Sequence, residues 1–422
     1  MTPQLISIYA LGAMFAVATI WRVNMGVLAF VGAFLVGTLG AGMTTTDIIA
    51  GFPDGLFLTL VGITYLFAIA QTNGTIDWLV QLAVRALRGR IAAIPWIMFG
   101  ITAVLTALGA VSPAAVAIVA PIALGFAARH GINPLMMGLF VIHGAQAGGF
   151  SPTSIYGGIT NTIVTKAGLP LNALFTFLAS LGINFAVAFL LFFLMGGRTL
   201  LAANAGAAEA LPHPAENAAS PQTGGSRAYQ MITLAGLLYL AVLVLAYKLD
   251  IGFVAIIIGL VLSLIAPNVQ KSAIGQVSWP EIMLITGVST YVAVLEKMGT
   301  MSFVGHSVAG LTSPLLAALL LCVIGAVVSA FASSTAVLGS LIPLAVPFLQ
   351  AGTGINPVGF IGAMAVSSTI VDVSPFSTNG AIVPATARNV YRDAFFRRLL
   401  GYGAAVTVLA PIVVWLLFIV IG

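Results

Sequence analysis

The sequence predicts an all-α polytopic membrane protein: two inverted repeats of five transmembrane helices, each with one re-entrant hairpin and one discontinuous helix. Three observations carry that expectation. Of 422 residues, 60% are hydrophobic and 6% are charged, with a mean hydropathy of +1.14, whereas a soluble domain is about one-quarter charged. Two polar, loop-forming stretches, SPTSIYG at 151–157 and SPFSTNG at 374–380, interrupt long apolar segments 223 residues apart. Finally, the 15 Lys and Arg residues divide very unequally between the two faces of the topology.

In chain order the apolar segments are 5–21, 24–42, 54–73, 133–166 (interrupted), 170–197, 229–247, 251–266, 280–296, 356–391 (interrupted) and 397–421. Many approach the roughly 20 apolar residues that cross a bilayer. The first has no basic region before it and no clear small-residue cleavage site, so it reads as a span rather than a signal peptide. IDWLVQLAV at 76–84, followed by Arg85, Arg88 and Arg90, reads as an interfacial amphipathic helix. Two further apolar regions, 91–128 and 313–350, hold breakers at their centres, GAVSPAAVAIVAP (109–121) and SAFASSTAVLGSLIP (329–343). They read as re-entrant hairpins. RTLLAANAGAAEALPHPAENAASPQTGGSRA at 198–228, rich in Ala, Pro, Asn and Gly, reads as a flexible linker between repeats at 1–197 and 229–422. Cys322, the single cysteine, lies in an apolar run, forms no intrachain disulfide and reads as a packing residue. Glu296 and Lys297 fall at a span end, at headgroup level.

The repeat holds its register over many landmarks. GINP at 131–134 recurs at 354–357, and the same offset carries Ser151-Pro152 onto Ser374-Pro375, Ser154 onto Ser377 and Gly157 onto Gly380. Upstream, FPDGLFLTLVGITY (52–65) is similar to WPEIMLITGVSTY (279–291), and NGT (73–75) to MGT (298–300). An odd number of spans per repeat forces the second copy to enter the membrane inverted. If each hairpin returns to its own side, one face collects Arg22, Arg85, Arg88, Arg90, Arg129, Arg198, Arg227, Lys271, Arg388, Arg392, Arg397 and Arg398. The other collects Lys166, Lys248 and Lys297. The positive-inside rule then places the linker in the cytoplasm and both termini outside.

The four breaks carry the chemistry. Backbone at membrane depth must be hydrogen-bonded or must line a wet or ligand-filled cavity. A broken helix offers N–H groups at one fragment end, which attract anions, and C=O groups at the other, which attract cations. Ser and Thr hydroxyls at the breaks serve either purpose, although such residues are also common packing and kink positions in membrane helices. Asp372, an intramembrane carboxylate, reads as an ion- or proton-carrying group or as a capping or interhelical partner. His143 and Gln146 break the repeat symmetry, their counterparts being Val366 and Thr369, and read either as substrate contacts or as packing residues. No Walker loop, paired metal-ligand histidines, GxSxG or CxxC is present, so the chain is expected to be no enzyme and to draw on an ion gradient. The net charge of +5 lies at span ends rather than in one stripe, so no nucleic-acid partner is expected.

SAFASSTAVLGSLIPLAVP (329–347) resembles the Ser-Asn-Thr hairpin tip of the divalent anion/sodium symporters, the INDY-like group, and 148–158 and 372–381 resemble that group's unwound Thr-Pro-Pro-Asn regions. GAQAGGFSPTSIYGGITN (144–161) and STIVDVSPFSTNGA (368–381) resemble the MatC-type malonate carrier of the ion transporter superfamily. The resemblance covers the chain except its linker. It implies a homodimer in a bacterial inner membrane, each protomer with a scaffold part and a moving transport part. It also implies two sodium sites at the hairpin tips and a dicarboxylate between them. Its candidates for substrate binding are Ser112, Pro113, Gln146, Ser151, Thr153, Ser154, Ser334, Thr335, Ser377, Thr378 and Asn379. Its candidates for Na+ are Ser112, Gly149, Ser151, Ser329, Ser333, Ser334, Asp372 and Ser374, with H+ as an alternative coupling ion. The chain departs from the family at both tips, which lack asparagine. The first keeps only Ser112, in Ser112-Pro113-Ala114 with Leu108 one turn earlier. Its cation site then leans on backbone carbonyls and on Ser151, Thr153 or Ser154.

The physical argument for the substrate is separate. No Lys or Arg falls at midplane depth, so a dianion has to be held by co-bound cations and two inward-facing helix ends. A short dicarboxylate such as malonate or succinate suits that arrangement, malonate by resemblance only. The expected function is sodium-coupled dicarboxylate symport by an elevator-type mechanism. The alternatives are a proton-coupled symporter, a sodium/proton antiporter with Asp372 as proton carrier, and a non-transporting scaffold or channel.

Overall fold

Helix ends in this chain follow from the placement of its Gly, Asn, Ser and Pro residues. In the first GINP, Gly131 takes the left-handed φ of 63° that stops one helix, and Asn133 accepts from the Leu135 N–H at 3.0 Å to start the next at Pro134. The second GINP repeats the device: Gly354 has φ 75°, Asn356 accepts from the Val358 N–H at 3.0 Å, and Pro357 opens the helix. A side-chain oxygen on the first free N–H groups and a proline where no N–H is needed together fix the start.

The computed structural model describes residues 2–21, 23–85, 90–204, 226–300, 303, 313–331, 333–387 and 392–422. Arg22, Arg88, Arg388 and linker residues 205–225 lie outside the described residues. The first repeat contributes α1 (Pro3–Trp21), α2 (Met25–Leu35, prolonged by a π turn to Gly40), α3 (Thr45–Ile49), α4 (Asp54–Thr72), α5 (Thr75–Arg85), α6 (Ile94–Ala107), α7 (Ser112–His130), α8 (Pro134–Gly148), α9 (Ile155–Lys166), α10 (Ala173–Leu194) and α11 (Gly197–Asn204). The second contributes α12 (Arg227–Tyr247), α13 (Ile251–Ile265), α14 (Pro267–Gly275), α15 (Trp279–Lys297), α16 (Pro314–Ser329), α17 (Ser334–Gln350), α18 (Pro357–Ile370), α19 (Thr378–Thr386) and α20 (Arg392–Trp415, prolonged by a π turn to Val420). The described residues contain no strand.

The hairpin regions are the pairs α6–α7 and α16–α17, and the interrupted spans are α8–α9 and α18–α19, each broken at the stretches singled out above. α5 occupies the amphipathic segment, and Lys297 at the end of α15 donates to the Asp47 carbonyl at 2.8 Å. Helices occupy both ends of the segment read as a linker. Its first residues continue α11 to Asn204, and α12 already starts at Arg227. The short helices α3 and α14 have too few residues to leave an apolar period in the sequence; Thr44 and Asp47 form a capping box at the start of α3. Among the described residues, five helices have the length and hydrophobicity to cross a membrane, α7 among them, and seven shorter apolar helices accompany them. Lipid-depth surface is correspondingly apolar, with large side chains such as Leu264 and Leu194 fully outward on α13 and α10.

Packing follows the repeat. α4 packs on α13 and α15 packs on α2; α6 packs on α8 and α16 on α18; α7 packs on α19 and α17 on α9. Glycines set the closest of these approaches. A Cβ on Gly26 would strike the Met283 carbonyl, and one on Gly287 would strike the Gly26 carbonyl, so α2 and α15 touch backbone to backbone. Gly62 and Gly252 do the same between α4 and α13. Gly144 and Gly148, spaced as GAQAG, press α8 against the carbonyls of Phe99 and Ala103 on α6. Without a hydrophobic drive between helices in lipid, such small-residue contacts are the main source of packing energy.

Candidate functional site

Each break is closed by a serine. After α8, the chain turns through residues 149–153, and Ser154 caps α9 by accepting from the Gly157 N–H at 3.2 Å. The Ser154 hydroxyl in turn lies against the carbonyls of Gly149 and Ser151. After α18, Ser377 caps α19 by accepting from the Gly380 N–H at 3.3 Å and donates to the Ser374 carbonyl at 2.7 Å. Gly157 and Gly380 recur because a Cβ at either would strike the Ser151 or Ser374 carbonyl. Both caps therefore hold their turns shut with hydroxyls that the sequence had offered to substrate.

The two breaks differ inside those turns. In the first, Ser151 Oγ and Thr153 Oγ1 are 3.0 Å apart, and Thr153 donates to the Ala107 carbonyl at the end of α6, 2.5 Å away. Gly109, with φ 121°, lets that hairpin tip come close to the Thr153 carbonyl. In the second, Asp372 takes the place of Gly149. It is 1% exposed. The Asn379 N–H donates to Asp372 Oδ1 at 3.2 Å, Gln146 Nε2 donates to Oδ2 at 3.2 Å, and the hydroxyls of Ser377 and Ser334 face the carboxylate.

The hairpin tips reach the same place. Ser112 is the first residue of α7, and its hydroxyl accepts from Asn379 Nδ2 at 2.7 Å. Ser334 is the first residue of α17; its hydroxyl is 3.1 Å from that of Ser329. The Tyr156 hydroxyl, from the second residue of α9, faces both Ser112 and Ser334. Since Asn379 is the second residue of α19, side chains from the first two residues of α7, α9, α17 and α19 meet here. Each tip meets the broken helix of the opposite repeat: Ser112 with Asn379, Ser334 with Tyr156. Asn379 and Tyr156 are themselves 223 residues apart, the repeat offset.

The remaining candidates lie around this cluster. Pro113 fills the first turn of α7, Thr335 is buried beside Ser334, and Ser333 pairs with the Thr335 hydroxyl. Ser374 Oγ accepts from the Phe376 N–H at 3.3 Å, and Thr378 is exposed. His143 points elsewhere. Its Nδ1 is 2.8 Å from Asn184 Oδ1 on α10 and its Nε2 is 2.6 Å from the Tyr402 hydroxyl on α20, so both ring nitrogens are engaged in helix packing. Cys322 is buried against Ser367 between α16 and α18. Sequence reasoning missed Tyr156, whose only signal was its repeat position opposite Asn379. It also missed Ser180, which donates to the Gln146 carbonyl at 2.9 Å.

Charge at the site is one-sided. Asp372 is the one buried carboxylate among the described residues, and every described Lys or Arg side chain is exposed. A lone carboxylate at membrane depth costs roughly 2.5–3.5 kcal/mol on insertion scales, so it calls for a cation or a proton. The four helix ends call for an anion.

Residues 1–149 match the family model for the dicarboxylate carrier protein MatC N-terminus, and residues 241–421 match the citrate transporter model. The fold is similar to the crystal structure of the YdaH transporter of Alcanivorax borkumensis, with a TM-score of 0.64 and 16% identity, covering 99% of this chain and 98% of that one. No curated protein matches the chain in sequence.

Proposed function

We propose that the chain is a multi-pass membrane carrier of the ion transporter superfamily rather than an enzyme, and within it a sodium-coupled symporter of a small dicarboxylate, malonate favoured; the two carrier models it matches in part and its YdaH-like fold support this reading. The observation that carries this reading is the meeting of four helix N-termini around one buried carboxylate. Each N-terminus carries about half a positive charge. The pair α7 and α19, with Ser112 and Asn379, receives one substrate carboxylate. The pair α9 and α17, with Tyr156 and Ser334, receives the other. Two carboxylates joined by a short link suit two facing pairs, whereas a neutral solute would bring no negative charge to the ends of α7 and α17. Sodium at Asp372 then neutralises the residual negative charge, and neither ligand binds well without the other.

The packing supports an elevator-type movement. Glycine-tight crossings join α2 to α15 and α4 to α13, making a frame from both repeats. The hairpins and broken helices with α10 and α20 form a second body that carries the site. In this reading the protein is a homodimer in a bacterial inner membrane, with its linker cytoplasmic and its termini outside. A proton-coupled symporter or a sodium/proton antiporter is the second reading, favoured by the burial of Asp372. Uptake of labelled malonate into proteoliposomes, with imposed sodium or pH gradients, decides between them. Sodium-driven uptake is expected. Uptake that follows only the pH gradient removes sodium coupling, and sodium–proton exchange without uptake identifies an antiporter.

A further inference from the structure

We propose that the coupling cation is held at one site shared by the two repeats, with Asp372, Gln146 Oε1 and Asn379 Oδ1 as its ligands, rather than at one site per hairpin tip. The proposal rests on the cation-coupled reading above and says where, and how many times, the cation binds.

Two buried oxygens carry it. Gln146 Oε1 and Asn379 Oδ1 are fully buried and have no hydrogen-bond partner. Neither amide is idle: Gln146 Nε2 donates to Asp372 Oδ2 and Asn379 Nδ2 donates to Ser112 Oγ. Turning Gln146 over would set its oxygen against the carboxylate, so its NH2 end must face Asp372 and its oxygen stays unfilled. The backbone N–H of Asn379 holds the other carboxylate oxygen at 3.2 Å. Gln146 Oε1 therefore sits one amide width from a contact to Asp372, and Asn379 Oδ1 belongs to the residue whose backbone holds the same carboxylate.

A proton is a poor occupant of this place. On Asp372 it would cancel the charge and supply a single donor, leaving at least one of the two carbonyl oxygens empty. A metal cation satisfies the carboxylate and both oxygens together, with the Ser334 hydroxyl, which also faces Asp372, to add to them. The set is all oxygen, and hard cations prefer oxygen ligands. It contains a single carboxylate, and the described residues hold no cluster of three His, Cys, Asp or Glu. One negative charge with neutral oxygens matches a monovalent ion.

The first break offers no counterpart. Its Gly149 and Ser151 carbonyls are taken by Ser154, its Ser151 and Thr153 hydroxyls pair, and Thr153 also engages the Ala107 carbonyl. It has no carboxylate, since Gly149 stands where the second repeat has Asp372. The repeat has thus become asymmetric in its chemistry while staying symmetric in its helix ends. Gln146, from the first repeat, now serves the second.

The test uses the purified full-length protein in detergent without dicarboxylate. Bound sodium is counted with radioactive sodium as sodium chloride replaces choline chloride at constant ionic strength. The wild type is expected to rise hyperbolically to a plateau of about one sodium per chain, the form of one site. Asp372→Asn is expected to lose the rise. Gln146→Leu and Asn379→Ala are expected to need about tenfold more sodium for half the rise, about 1.4 kcal/mol. Ser151→Ala is expected to keep the wild-type curve. If Asp372→Asn does not fold, Asp372→Glu keeps the charge and should retain a rise at a changed sodium concentration. A sigmoidal wild-type curve that Ser151→Ala reduces to one step overturns the shared site, as does a rise that survives in both Gln146→Leu and Asn379→Ala. A wild type indifferent to sodium overturns it too. Sodium-driven uptake that survives Asp372→Asn removes this site and leaves the carrier reading intact. A sodium rise in a protein that takes up no dicarboxylate keeps the site and removes the substrate reading.

Discussion

Gly380→Ala asks whether the second break is held in shape by its own capping turn. An added Cβ points at the Ser374 carbonyl from well inside 3.0 Å, a separation that side chains do not tolerate. The turn must open to admit it. Ser377 then loses its grip on both the Ser374 carbonyl and the Gly380 N–H. Loss of an N-cap costs about 1 kcal/mol, and forcing one carbon into a packed interior costs about 1–3 kcal/mol. The helix propensity of alanine returns up to about 1 kcal/mol. The net expectation is a loss of about 1–3 kcal/mol, or roughly 2–6 °C in melting temperature at about 2 °C per kcal/mol. The functional loss should be larger. Asn379, one residue away, fixes Asp372 through its N–H and Ser112 through its amide, and a displacement of ~1 Å at a reacting or binding centre can cost about 100-fold. Gly157→Ala makes the matching clash in the first break, so it should lose similar stability while its sodium half-saturation moves far less. Gly182 on α10 has open space where its Cβ would go, so Gly182→Ala should leave both measures unchanged. Melting curves and sodium titrations of the three proteins in detergent check this. A Gly380→Ala protein with wild-type melting and wild-type sodium dependence refutes the reasoning, and so does equal damage from Gly182→Ala.

Three further outcomes are expected. Ser112→Ala and Ser334→Ala should each weaken malonate uptake while the protein still folds, and normal uptake in both would remove the hairpin tips from the site. His143→Leu strands Asn184 and Tyr402, at about 1–3 kcal/mol for each unpaired group, so melting should fall while sodium half-saturation stays put. A sodium effect there would bring His143 into the ion site. Gly148→Ala drives a methyl into the Ala103 carbonyl and should cost about 1–3 kcal/mol by parting α8 from α6, read as a lower melting temperature without a change in sodium half-saturation.

What was legible in the sequence and what was not divides along a physical line. SPTSIYG and SPFSTNG stand out because cap and turn residues cluster there within apolar segments at matching repeat positions, and GINP starts the helices beside them by purely local rules. Local chemistry reads well from sequence. The partner of each group does not, because the fold exchanges elements between repeats: Ser112 meets Asn379 of the second copy, and Ser334 meets Tyr156 of the first. A tyrosine beside SPTS looks like packing until its opposite number, Asn379, is found against the first hairpin tip at Ser112. The same exchange places Gln146 against Asp372. The family resemblance implies two sodium sites, and the shared site proposed above replaces them with one around Asp372. In the first break the Ser151 and Thr153 hydroxyls pair and Ser154 holds the Gly149 and Ser151 carbonyls. Helix N-termini come with the backbone and persist in both copies; a carboxylate has to be encoded, and here it is encoded once.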